Sequence, residues 1–362
     1  MRVTTKALIR NYTANLGAAM SNLDSARTKV MSNRKFSKGY EDPTGAVREA
    51  SIYQKYQKNQ DYQNMIDDVQ YFQNAQEDAI NQLNTQAKYL SKQYGLEALN
   101  GTNMNYETRL TYATAFRQAQ ESMTMSLNAS YSDKFVFGGA DGGTPPFELR
   151  KETVDGVTTT TLLYRGVDVD SYADPSDPNY DPTDPASVAA EKLARMSAEE
   201  VFVDLGFGLT LGQDAAGRTT VSNSSAFNTS LPGINVVGYG KDENGISQNM
   251  IVLAGQIADV LGREDFGDED YAEYKQLLEA FDNGRNRLVD NLTTIGTKSN
   301  FLETTKTRLE DQEIALTQEM SNVVDVDMAE AITEFSWAQY AYSAALKIGT
   351  SILTPSFIDF MS

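Results

Sequence analysis

Four aspartates in one short run could bind a cation. Each precedes a proline in the segment ADPSDPNYDPTDP at 173–185, and they are Asp174, Asp177, Asp181 and Asp184. Calcium takes oxygen ligands, so such a run is a candidate Ca²⁺ site. The run lacks the ligand order and the glycine of the known calcium loop, and each proline biases the preceding aspartate towards extended conformations. The sequence therefore favours a stiff, solvated loop.

Two other segments have the composition of a chemical site. The glycines Gly206, Gly208 and Gly212 suggest a nucleotide-binding loop, but their spacing does not match the dinucleotide fingerprint and no βαβ unit surrounds them. We interpret this segment as a turn between strands. The acidic triplet Asp268-Glu269-Asp270 is interpreted as charge that leads into a helix from about 271.

The chain contains neither histidine nor cysteine. Thiol chemistry, disulfides, Ser-His-Asp triads and His- or Cys-ligated zinc are therefore excluded. Paired carboxylates could still hydrolyse glycosides, but the sequence gives no carboxylate separation with which to test this reaction. We predict a protein that is not an enzyme and that carries no cofactor and no metal.

The charge balance of the chain argues against two classes of partner. The 362 residues have a net charge of −19, which disfavours nucleic acid and anionic membrane surfaces. No apolar run approaches the length of a membrane span, and the first residues do not form the apolar core of a secretory signal. We expect a protein without a cleaved signal peptide.

Both ends of the chain carry a helical seam. Apolar and small residues recur there at alternating spacings of three and four, as they do where helices pack along one stripe. The N-terminal seam is Ile9, Tyr12, Leu16, Ala19, Leu23, Ala26 and Val30, and the C-terminal seam is Met328, Ala331, Phe335, Ala338, Tyr342, Ala345, Gly349 and Ile352. We predict that the two seams form an assembly interface.

The C-terminal segment is also apolar away from its seam. This second set is Ile332, Trp337, Tyr340, Ala341, Ala344 and Ile348. A helix that is apolar on more than one face is normally buried on more than one face, whereas a chain end loses order unless something holds it. We therefore predict that the terminal helices are disordered or marginal in the monomer and become ordered when other subunits bury them.

Charge also links the two ends. Residues 1–38 contain eight basic residues and one acid, and residues 301–334 contain nine acids and two basic residues. Amphipathic segments of opposite sign are candidate partner helices, because charge selects partners. Two solvated faces that merely differ in charge are the alternative.

The pattern between the ends predicts an α+β fold: a discontinuous long-helix bundle or coiled coil from both chain ends, with an inserted β-rich domain. Asp42 followed by Pro43 predicts a helix start. We predict terminal coiled-coil helices at 1–40 and 323–362, a helical bundle domain at 41–140 and 271–322, and a β-rich insert that points outward at 141–270.

Three stretches resemble a known family. They are SNRKFSKGYEDPTGAV at 32–47, YSDKFVFGGADGGTPPF at 131–147 and DMAEAITEFSWAQYAYSAALKIGTSI at 327–352. They resemble the flagellin-like axial proteins of bacterial flagella, and within them the hook-associated protein 3 family of hook–filament junction proteins. Asn33 stands where that family commonly has glycine, and the chain ends SFIDFMS rather than with the Gln-Ala-Asn element that flagellins usually place after the tail motif.

The resemblance implies a structural subunit that joins hook to filament and lies outside the cell in the flagellum. Its implied partners are other copies of itself in a ring, flagellin, another hook-associated protein on the hook side and an export chaperone. The implied route is type III export. Two alternatives stay open from the sequence: a flagellin, which is the bulk filament subunit, and a soluble calcium- or carbohydrate-binding protein with coiled-coil ends.

Overall fold

The computed structural model describes residues 5–95, 105–154, 157–173, 181–213, 219–222 and 224–353. The chain divides into two compact units. Unit 1 comprises Met1–Asp61 with Arg308–Ser362, and unit 2 comprises Tyr62–Thr307. The predicted boundaries of three domains stay a prediction, whereas the two observed units divide within two long helices.

Long helices dominate the described residues. The helices are α1 (Thr5–Ser32), α2 (Pro43–Tyr89), α3 (Tyr106–Leu127), α4 (Pro185–Ser197), α5 (Gly233–Val237), α6 (Met250–Leu261), α7 (Asp268–Val324) and α8 (Met328–Leu353). A π-helical segment, Leu90–Gly95, continues α2. Helix α7 alone contains 57 residues. Apolar residues spaced seven apart along it, among them Leu288, Ile295 and Leu302, therefore form one ladder on a single continuous helix.

The strands lie between α3 and α5, and all their pairings are antiparallel. They are β1 (Ser130–Tyr131), β2 (Lys134–Phe135), β3 (Phe147–Val154), β4 (Val157–Tyr164), β5 (Val167–Asp168), β6 (Phe202–Val203), β7 (Leu211–Gln213), β8 (Thr219–Val221) and β9 (Phe227–Asn228). The pairs are β1–β2, β3–β4–β5, β6–β9 and β7–β8. The prediction of an α+β fold with long terminal helices and a β-rich insertion is confirmed.

The break between α1 and α2 follows local signals. Asn33 has φ 55°, in the left-handed region that asparagine tolerates better than most residues. It therefore adopts a conformation for which glycine is the commoner choice. The Asp42 side chain accepts the Gly45 N–H at 2.9 Å, and α2 begins at Pro43. The predicted helix start is thus confirmed.

Unit 2 has a closed apolar core. Phe116 on α3 packs edge to face with Phe281 on α7, at 6.1 Å between ring centroids, and both are fully buried. Ten of the twelve residues of α6 are buried. Apart from Gln256 and Asp259, its side chains are apolar, so most of its surface is buried in the core.

Candidate assembly interface

The terminal helices α1 and α8 pack against each other within unit 1. They run antiparallel, because Tyr12 lies at Gly349 near one end and Lys29 lies at Glu334 near the other. A Cβ atom added to Gly349 would lie 2.0 Å from the Tyr12 hydroxyl oxygen. The tyrosine ring is therefore seated against helix backbone, an approach that a larger residue would block.

The structure brings most of the predicted seam residues to this contact. Ala26, Ala331 and Gly349 are buried; Tyr12, Leu16, Ala19, Leu23, Val30, Phe335, Ala338, Tyr342 and Ala345 are half-buried; and Ile9 and Met328 are exposed. Ile352 belongs to α8, but its side chain lies outside the described residues. The seams therefore face each other within one chain, and their role between subunits stays a prediction.

The breaks between helices are held side by side. The Lys35 N–H donates to the Val324 carbonyl at 2.7 Å, and the Val326 N–H donates to the Asn33 carbonyl at 3.2 Å. The Lys35 ammonium also donates to the Asn322 carbonyl at 2.6 Å. These bonds join the α1–α2 connection to the α7–α8 connection, so the end of α1 lies beside the start of α8.

Opposite charges meet along unit 1, as expected from the basic and acidic ends. Lys29 pairs with Glu334 at 3.1 Å, and Arg48 pairs with Glu319 at 2.9 Å. These side chains are substantially exposed, so each pair contributes about 1 kcal/mol or less to stability. They favour the correct partner and register, while the apolar seam supplies the packing.

A second apolar face of α8 remains uncovered in the single chain. Trp337 and Tyr340 are 69% and 71% exposed, and Ile332 is 50% exposed. At about 100° per residue these side chains lie on the side of α8 away from the seam. We call Ile332, Trp337 and Tyr340 the outer face. The sequence showed that the outer face is apolar, but the predicted interface comprised the seam alone. Residue spacing does not show which face of α8 is covered by α1.

The candidate chemical residues have local structural roles. Asp181 accepts hydrogen bonds from the hydroxyl and the N–H of Thr183, which lower the pKa of its carboxyl. Asp184 caps α4 by accepting the Ala186 N–H at 3.1 Å. Asp174 and Asp177 lie outside the described residues. Within the described part of the chain, no group of three or more acidic, histidine or cysteine side chains is arranged to hold a metal.

The other two segments agree with their predicted interpretations, except that Gly212 lies within β7 and not in the turn. Gly206 and Gly208 have φ 86° and 80° in a turn, and a Cβ on Gly206 would lie 2.9 Å from the ring of Tyr62. Asp268, Glu269 and Asp270 form the first turn of α7, where negative charge interacts favourably with the helix dipole. None of the helices in the described ranges has the length and apolarity needed to cross a bilayer.

Comparison with known proteins links these features to the flagellum. Residues 278–352 match a family model described as the bacterial flagellin C-terminal helical region. No curated protein matches the sequence.

Two solved structures of flagellar proteins are similar to this chain. One from Vibrio parahaemolyticus, assigned as a flagellar hook-associated protein, aligns with 79% of this chain and 100% of its own, at a TM-score of 0.54 and 14% identity. Flagellar hook-associated protein-3 from Legionella pneumophila aligns with 76% of this chain and 98% of its own, at a TM-score of 0.46 and 14% identity. The first similarity shows that the two chains share a fold.

Proposed function

We propose that this chain is a structural subunit of the bacterial flagellar axis that acts at the hook–filament junction. The observation that carries the proposal is the antiparallel α1–α8 pair, which uses one face of α8 and leaves the outer face exposed. The match of residues 278–352 to the flagellin C-terminal region supports the axial role. The fold shared with a protein assigned as hook-associated supports the position at the junction.

The outer face has the residue composition of a protein–protein interface. Trp337 and Tyr340 each have a large apolar surface and one polar atom, and such aromatic residues are enriched at protein interfaces. Burying such a side chain contributes about 1.5–3 kcal/mol. The partner that fits is another axial subunit that presents a similar apolar helix, so assembly completes the burial that α1 begins.

The remaining parts of the proposal follow from this role. The subunit assembles with further copies of itself, with flagellin on one side and with another hook-associated protein on the other. It reaches the flagellum through type III export, accompanied by a chaperone that covers its apolar ends before assembly. As a structural component it has no enzymatic activity.

A second candidate function is that of flagellin, the bulk filament subunit. The family model that matches residues 278–352 describes flagellins, and this match favours it. The two functions differ in abundance and in loss-of-function phenotype. Deletion of a junction protein leaves hooks without filaments and releases flagellin into the medium, whereas deletion of the filament protein removes the filament subunit itself.

The direct test is attachment of the purified protein to hooks isolated from a strain that lacks its gene. We expect the wild-type protein to attach and the variant Trp337→Glu/Tyr340→Glu to attach at least about tenfold more weakly, because each substitution places a charge in the apolar contact. The matched control is Leu211→Glu, at a residue that is 59% exposed in β7 of unit 2. This control should attach as the wild type does.

Equal loss in the control and in the outer-face variant would contradict the specific role of α8. Normal attachment of the outer-face variant would contradict it as well. Failure of the wild-type protein to attach to hooks, together with filament formation by the purified protein alone, would favour the flagellin function.

A further inference from the structure

A cavity of about 470 Å³ lies within unit 2, beside helix α7. Its lining includes the aromatic residues Tyr172 and Tyr239, the backbone of Gly238, and the cations Lys241 and Arg287. Among the described residues that line it there is no aspartate or glutamate. Its volume falls within the usual range of sites for small organic ligands. Two cations and no acid among the described lining residues is an unusual balance in a chain whose net charge is −19.

Arg287 is the principal group of this cavity. It is half-buried, one terminal nitrogen donates to the Gln248 carbonyl, and its Nε atom is buried with no hydrogen-bond partner. Burial lowers the pKa of its guanidinium, and no described carboxylate counteracts this effect. A desolvated guanidinium retains donors for a planar, negatively charged group, and carboxylates match that geometry.

The surrounding residues restrict what can enter. Gly238 has φ 88°, and a Cβ at this position would lie 2.7 Å from a terminal nitrogen of Arg287. The bare glycine backbone therefore allows the guanidinium to lie against this wall. Lys241 adds positive charge and is partly offset by Asp170, whose carboxylate accepts the Ser247 hydroxyl. The phenol side chains of Tyr172 and Tyr239 provide apolar surface for a carbon skeleton.

We propose that this cavity binds a small organic carboxylate, of the size of an acidic amino acid or a sugar acid, through Arg287. The cavity is much larger than a bare inorganic anion, and its aromatic lining favours a ligand with a carbon skeleton. The site is independent of the outer face of α8, so it adds a ligand-binding function to a structural subunit.

The test is isothermal titration of the full-length protein with L-glutamate and D-glucuronate at constant ionic strength. L-glutamine and D-glucose are the matched neutral controls. We expect at least one acid to bind about tenfold more tightly than its neutral counterpart, since loss of a charge-assisted hydrogen bond is worth about that factor. Inorganic phosphate is the third probe and should bind more weakly than that acid.

Variants locate the binding. Arg287→Gln should weaken acid binding about tenfold or more, and Arg287→Lys should weaken it less, because the charge is kept while the planar pair of donors is lost. Arg263→Gln is the matched control, because Arg263 pairs with Asp270 and Glu273 and does not line this cavity. Circular dichroism establishes that each variant is folded.

Three results would overturn the proposal. Acids that bind no better than the neutral controls would exclude a carboxylate site. Phosphate that binds as tightly as the acids would indicate a site for any anion. Acid binding that appears only in the variant Asp174→Asn/Asp177→Asn would indicate that carboxylates of the chain itself satisfy Arg287. These two residues lie outside the described residues, within four positions of Ala173, which lines the cavity.

Discussion

Helix α7 passes through both units, and its burial differs between them. Its apolar ladder has a spacing of seven residues throughout. In unit 2, Leu288, Ile295 and Leu302 are at most 2% exposed, and Leu309 at the edge of unit 1 is 2% exposed, whereas Leu316 and Val323 further into unit 1 are only half-buried. The same repeat on the same helix thus gives different burial. The burial of each ladder residue therefore depends on how many elements pack around the helix, and not on the repeat along the helix.

This difference in burial indicates what each unit requires in order to be stable. Unit 2 packs α3, α6 and the strands around its long helices, so that aromatic side chains such as Phe281 and Tyr274 are fully buried. The described residues of unit 1 form helices and their connections and leave the outer face exposed. We infer that unit 2 is stable within one chain and that unit 1 is completed by other subunits.

The largest expected effect comes from a matched pair of aromatic truncations. Phe281→Ala removes a fully buried ring from unit 2 and should lower the free energy of unfolding by about 3–5 kcal/mol. Trp337→Ala removes a larger ring from the outer face and should change it by about 0.5 kcal/mol or less. Urea unfolding followed by circular dichroism measures both. Equal destabilisation by the two variants would remove the distinction between the units.

The second prediction uses pH to probe unit 2 alone. Burial raises the pKa of Tyr164 to about 12, and its hydroxyl donates to the Phe137 carbonyl at 3.0 Å. Between its unfolded pKa near 10 and this folded value, the folded state keeps the proton that the unfolded state has lost. Stability should therefore fall as pH rises through this interval, by about 1.4 kcal/mol per pH unit from this residue.

Tyr164→Phe tests this slope. The variant should be less stable than the wild type at pH 8, because a buried hydrogen bond is lost, and its stability should fall less steeply between pH 10 and pH 12. Tyr274, whose pKa is also raised by burial, retains part of the slope in both proteins. Urea unfolding at several pH values provides the measurement. An unchanged slope in the variant would show that Tyr164 is not protected in the folded state.

The third prediction concerns the close approach in unit 1. Gly349→Ala should raise the helix propensity of α8 by about 1 kcal/mol, yet its new Cβ overlaps the Tyr12 side chain. Overpacking of this kind costs about 1–3 kcal/mol. We therefore expect weaker α1–α8 pairing, measured as faster proteolysis of the ends. The double variant Tyr12→Ala/Gly349→Ala removes the overlap. A single variant with slower proteolysis would contradict the packing of Tyr12 on Gly349.

The sequence predicted the elements that depend on local signals. The Asp42-Pro43 start of α2, the acidic first turn of α7 and the turn at Gly206 each follow from the preferences of a few neighbouring residues. The opposite charges of residues 1–38 and 301–334 also predicted that segments from the two ends are partners, and the Lys29–Glu334 pair joins those segments. Apart from the pairing of the two chain ends, none of these features depends on residues that are distant in the chain.

Other features depend on distant residues and could not be predicted. The strands β1, β2, β5, β6 and β9 have two residues each, which is too short for alternation to appear. Both faces of α8 are apolar, so periodicity did not show that the seam is used within the chain while Trp337 stays exposed. The cavity at Arg287 joins residues separated by more than one hundred positions, and no motif marks it.

The smallest expected effect is the charge pair between the terminal helices. Lys29→Glu should weaken α1–α8 pairing at low salt, and Lys29→Glu/Glu334→Lys should restore it, because the pair is reformed with opposite polarity. The coupling energy should be about 0.2–1 kcal/mol and should decrease at high salt. A double-mutant cycle on the proteolysis of the ends measures it. A coupling of zero at low salt would leave the apolar seam as the sole cause of pairing.

Amide hydrogen exchange of the dilute monomer tests the central claim most directly. The amides of α1 and α8 should exchange much faster than those of α6. Much of the surface of the terminal pair is already exposed, so opening it exposes little more, whereas α6 can open only when the closed core is lost. The same terminal amides should become protected when the protein attaches to hooks. Terminal helices protected as strongly as α6 in the dilute monomer would contradict the conclusion that unit 1 is completed by other subunits.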